Sequence, residues 1–199
     1  MKNNCHFSEV VASCLTNFTA QCWQWDSFPH FGSLVAVEEK DHVVIGLVHA
    51  LQTGSLDHVR YPFTYQKTYE QLQAEQPQIF EFLKTTFSSI PIAYSVDSKI
   101  YHILPSQPVK IHAFVGFASK DMVQKMLYNH HYLHLLFGLQ SQLFNLDELL
   151  LAFIQHQRQI KLFATQEYLR EFLQTYALLV GNDYRRIKLF AGRLQALVL

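Results

Sequence analysis

Hydrophobic positions recur with two different periods along the chain, and the change falls near residue 119. Before it, short apolar or alternating runs are separated by turn residues, as in strands whose successive side chains point to opposite faces. Val10–Leu15 and Ala20–Trp25 read as a hairpin over 8–16 and 19–25 turning at Asn17-Phe18, with Trp23 and Trp25 sharing one face of the second strand. Pro29 and Gly32 mark a turn, Ser33–Val37 a strand, Glu38–Asp41 a charged turn, and His42–Ala50 the antiparallel return. Gly46 inside that return predicts a bulge or tight bend, the device with which a small barrel turns a corner. Residues 68–87 interrupt the strands with helical spacing: a short turn over 68–74, then a helix over about 77–87. Pro77 takes its first position, and Ile79, Phe80, Leu83 and Phe87 form its buried face. Strands resume at Ile90–Tyr94, Ile100–Leu104 and Lys110–Val115, with Pro91, Pro105 and Pro108 keeping them short or at edges.

From Ser119 the pattern is helical to the end. Ser119 opens one helix, and Asn145 with Glu148 three residues later opens another, whose stripe is Leu146, Leu149, Leu150, Phe153 and Ile154. Thr165 caps a third, which runs through Leu169, Phe172, Leu173, Tyr176, Leu179 and Val180 to Gly181 at the position after its end. Asn182 starts the last, with Ile187, Phe190, Ala191, Leu194, Leu197 and Val198 on one side. The expectation is an α+β protein: a small antiparallel β-barrel over 1–118 with a helical insertion at 68–87, and a bundle of four to five short helices over 119–199 packed on it.

Composition supports a folded chain: hydrophobic residues make up 49% of the 199 residues and charged ones only 16%. Sixteen Lys and Arg balance sixteen Asp and Glu, so the excess of cations needed to bind nucleic acid wholesale is missing. The 11 His would make the surface strongly basic in mild acid. No segment reads as a membrane span, and the first residues, Met1–His6, lack the apolar run of a secretory signal, so a cytoplasmic setting is expected.

Candidate chemistry is sparse. Cys5, Cys14 and Cys22 are an odd number crowded at one end and read as reduced. In the predicted hairpin Cys14 and Cys22 face each other, either as two small packed side chains or as a pair able to bridge under oxidation. His130, His131 and His134 form H-H-x-x-H, with His130 and His134 at i and i+4; two ligands do not make a metal site, and position 131 lacks the Glu of H-E-x-x-H. No phosphate-binding glycine loop and no G-x-S-x-G elbow occurs. His49, Asp57 and His58, at and after a predicted strand end, are the dispersed candidates for an enzyme site. No catalytic, cofactor or metal site is therefore expected, nor any cofactor.

The stretch Gly32-Ser33-Leu34-Val35-Ala36-Val37, a charged turn, and Val44-Ile45-Gly46-Leu47-Val48 resembles the HAS-barrel, the small barrel shared by HerA-type DNA-translocating ATPases and ATP synthase subunits. The resemblance covers roughly residues 8–116. In those ATPases a P-loop motor follows the barrel, whereas here about 80 helical residues follow without a Walker motif, so ATPase activity does not carry over. What the resemblance implies is a stand-alone docking or assembly collar on a ring ATPase or another large complex.

A non-enzymatic adaptor, scaffold or assembly factor is accordingly the expected function, with subunits of a protein complex as partners. The 16 Phe, 10 Tyr and 2 Trp exceed what a core of this size needs, and Trp23 and Trp25 are the candidate anchors. The alternative is a nucleic-acid accessory protein using the last helix, where Arg185, Arg186, Lys188 and Arg193 stand against Asp183. The same basic residues beside an apolar stripe also suit an acidic partner or the surface of an anionic membrane.

Overall fold

The computed structural model describes residues 6–57, 64–158 and 165–198. Among these residues seven strands run β1 His6–Ser13, β2 Phe18–Cys22, β3 Leu34–Glu38, β4 Val43–Ser55, β5 Leu83–Val96, β6 Lys99–Tyr101 and β7 Phe114–Phe117. All pairings are antiparallel, in the order β2-β1-β7-β3-β4-β5-β6, and β2 also pairs with β5. That extra pairing closes six strands into a barrel and leaves β6 as a short hairpin extension of β5. Two helices, α1 Tyr69–Glu75 and α2 Gln78–Glu81, lie between β4 and β5. Five more follow the barrel: α3 Lys120–Leu127, α4 Tyr132–Gly138, α5 Leu146–Gln157, α6 Gln166–Val180 and α7 Tyr184–Val198. The α+β architecture, barrel first and helices after, is as the hydrophobic periods predict.

Two cores explain why β3, β4 and β5 read as nearly continuous apolar runs. Inside the barrel pack Val10, Phe18, Ala20, Cys22, Val35, Val37, Val44, Val48, Phe87 and Val115. On the outside of the same strands Leu34, Ile45, Leu47, Ile90 and Ile92 join the helix residues Met126, Leu133, Leu150, Phe153 and Phe172 in one cluster. A strand buried on both faces has no polar side, so alternation disappears. Strands β1 and β2 and β7 keep one face in water.

Two glycines make close approaches possible. Gly46 stands at the predicted bulge, where β4 shifts register against β5, and a Cβ there would lie 2.9 Å from the Phe18 ring that fills the barrel. Gly32, at φ +83°, passes so close to α5 that a Cβ would sit 2.6 Å from the Phe153 backbone nitrogen. Pro91 lies where β5 has a neighbour on one side only, because β2 pairs up to Ser89 and β6 reaches back only as far as Tyr94.

Several expectations need correction. The strands expected over Ile100–Leu104 and Lys110–Val115 are instead β6, which stops at Tyr101, and β7, which starts only at Phe114. The helix predicted over 77–87 is only four residues long, and Leu83 begins β5. Residues 79, 83 and 87 are spaced by four, which fits a helix turn and a two-residue strand repeat equally; Thr85, Phe87 and Ser89 then alternate inward, and pairing with both β2 and β4 decides for the strand. The segment predicted as a turn over 68–74 is instead helix α1, opened by a reciprocal capping box between Thr68 and Gln71. The first hairpin turns earlier than predicted, closed by Cys14 N donating to Asn17 O at 2.8 Å, so Cys22 opposes Ser8 and Cys14 sits in the turn. Both of these thiols are free, and Cys5 lies outside the described residues.

Candidate interaction surface

The barrel has a covered and an uncovered side. Helices cover the outer faces of β3, β4 and β5, while the outer faces of β1, β2 and β7 meet solvent. On that free side the strand alternation points Val10, Ala20, Cys22 and Val115 inward and Val11, Trp23 and Phe114 outward. Trp23 follows the last residue of β2, held by its N–H donating to Phe7 O at 3.0 Å. Its ring stands edge-on to Phe114 at 5.5 Å, and the His6 ring lies 5.6 Å from Phe114. Trp23 keeps 54% of its surface exposed and Phe114 49%. Phe7 of β1, which packs against the inner cluster, and Phe117 of β7 approach at 4.6 Å. Beside this cluster the Glu9 carboxylate, opposite Phe114 in the sheet, pairs with the His112 ring.

The second tryptophan does not share it. Because β2 ends at Cys22, Trp25 falls in a turn, stacks on Phe80 of α2 at 5.6 Å, and accepts a hydrogen bond on its carbonyl from the Thr85 hydroxyl. Trp25 fastens the inserted helices to the barrel. Phe114 and His6 had no place among the sequence candidates; the alternation of Phe114 with Val115 in the last predicted strand is the feature that marks Phe114 as outward.

The basic helix is largely spent on intramolecular pairing. Arg186 grips Asp147 of α5 with Nε and Nη2 at 2.9 and 2.7 Å, and Tyr176 OH donates to the same carboxylate at 3.0 Å. The hydrogen bonds to Asp147 raise the Arg186 pKa further. Arg193 forks onto Glu148 at 2.6 and 2.9 Å, which lowers the Glu148 pKa. Arg185 and Lys188 remain on the exposed face. Of four cations counted for a phosphate or acidic-partner surface, two hold α7 to α5.

The histidine-rich segment divides between core and surface. His130 precedes α4 instead of sharing a helix face with His134; it is 7% exposed, packs 4.6 Å from the Tyr168 ring and 5.8 Å from Phe172, while His134 is exposed. Burial, reinforced by His131, pushes the pKa of both His130 and His102 down to about 4. Among the described residues no group of three metal-ligating side chains occurs. His49 Nε2 bonds Asn17 Oδ1 at 2.9 Å on the barrel and burial lowers its pKa; Asp57 lies in the turn after β4, and His58 is outside the described residues. Burial pushes the Cys22 thiol up to about 11, in keeping with its place among the barrel's apolar side chains. No helix among the described residues is long and apolar enough to cross a membrane. No protein-family model matches the sequence and no curated protein matches it, so the HAS-barrel resemblance rests on Gly32–Val37 and Val44–Val48 alone.

Proposed function

We propose that the protein is a non-enzymatic interaction module, an adaptor or assembly factor that docks on subunits of a larger complex through the free side of its barrel. One observation carries this reading: Trp23 and Phe114 form an edge-on aromatic pair that stays about half exposed on the barrel side away from the helices. Large aromatic rings held rigid on a strand bury much area on binding at little entropic cost, which is why they recur as interface anchors. The resemblance to the HAS-barrel supports the same reading, since that barrel serves as a collar in larger assemblies, a ring ATPase being one such setting. The basic face of α7 weighs less as a partner surface, because Arg186 and Arg193 are already paired.

Affinity capture of the tagged protein from its native cells after nuclease treatment tests the proposal, with a Trp23→Ser/Phe114→Ser variant in parallel. The expected result is a defined set of proteins retained by the parent and lost by a variant with unchanged circular dichroism. Partners that vanish with nuclease, or that the variant keeps, contradict it.

A further inference from the structure

The barrel and the helices meet at two places where histidine faces histidine. At the first, His30 in the β2–β3 connection stacks on His156 of α5 at 5.3 Å with the rings 20° from parallel. It lies next to Gly32, whose backbone touches α5 at Phe153. At the second, His102, just after β6, meets His131, just before α4, at 6.1 Å. In each pair one ring comes from the barrel and its connections and the other from the helical part. One member of each is partly buried (His156, His102) and the other exposed (His30, His131).

We propose that this junction is a proton-sensitive clasp: charging both rings of each pair sets like charges across the two fastening points and loosens the helices from β3, β4 and β5.

The surroundings offer little to absorb the charge. Around His156 the electrostatic neighbour among the described residues is His30, with the cationic Arg158 closing α5 two residues on. Around His102 stand His131 and Tyr132, and the Asp121 and Lys125 that line the adjoining groove already neutralise each other at 3.0 Å. His131 in turn faces His134 at 6.5 Å. His130 packs on Tyr168 and Phe172 within the helical part, with Glu171 of α6 3.9 Å from its Nε2, and so does not bridge to the barrel; the clasp is assigned to the two spanning pairs. The sign follows from linkage: burial holds the His102 pKa at about 4 and lowers that of His156, against an ordinary value of 6.5 once the ring is free in water. The open form therefore binds protons that the closed form refuses, and opening is favoured as pH falls from 6.5 toward 4, with no effect above about pH 7.

Peptide-level hydrogen–deuterium exchange at about pH 7.5 and about pH 5, corrected for intrinsic rates, tests the clasp on the full chain. The open fraction is expected to rise about tenfold or more between the two conditions. The expected pattern is faster exchange in β3, β4 and α5 at the lower pH, with β1, β2 and β7 unchanged. A His30→Gln/His131→Gln variant removes the like charge but leaves both buried rings in place, so it should fold normally and diminish the pH effect to the part that burial alone sets. His134→Gln serves as an exposed control and should leave the effect intact. Equal loosening of all strands, no pH effect in the parent, or an undiminished effect in the double variant would each overturn the clasp.

Discussion

Gly32 is where a single methylene matters most. It combines a left-handed backbone with contact to the α5 main chain, so Gly32→Ala meets both a conformational penalty and a clash that no side-chain rotation relieves. A loss of at least about 2 kcal/mol is expected, read from urea unfolding. Asp147 is the comparable polar position, since its carboxylate takes two hydrogen bonds from Arg186 and one from Tyr176 in a partly buried site. Asp147→Asn leaves the guanidinium without its charge partner and should cost about 1–3 kcal/mol. Glu148→Gln, which weakens the solvent-exposed fork with Arg193, should leave the unfolding midpoint nearly unchanged. Equal losses in the two variants would show that α7 is not held chiefly through Asp147.

At the scale of elements, removing α3 to α7 is the informative change. Leu34, Ile45, Leu47, Ile90 and Ile92 on the outer barrel wall would become exposed. At about 1.5–3 kcal/mol for each large aliphatic side chain, that is comparable to the whole net stability of an ordinary domain, about 5–15 kcal/mol. Residues 1–118 alone are therefore expected to aggregate or unfold without cooperativity, as gel filtration and thermal unfolding would show; a monodisperse, cooperatively folding barrel would mean that the two parts are separate domains. The sequence was most readable where local chemistry acts alone. Ser119 and Asn145 sit at helix starts and accept the N–H bonds that their side chains predict, and Gly46 stands at a register shift. It was least readable where two periods share a spacing, as at Ile79, Leu83 and Phe87, or where tertiary pairing sets a strand end, as at Cys22. The exposure of Trp23 was legible because strand alternation places it outward, whereas the pairing of Arg186 and Arg193 with α5 depends on a packing of α7 that no local pattern encodes.

The molecule as a whole has two unlike sides. One side of the barrel is sealed by helices that share its apolar wall, and the other presents Trp23, Phe114 and His6 to water. This asymmetry makes the free side the expected docking face and α7 the expected bystander, a distinction that site-directed photo-crosslinking in native cells reads directly. A benzophenone amino acid at position 23 is compared with the same group at Lys188, on the exposed face of α7. The account predicts discrete, nuclease-resistant protein adducts from position 23 and none from position 188. Adducts from position 188 alone, or adducts to nucleic acid from either position, would contradict it.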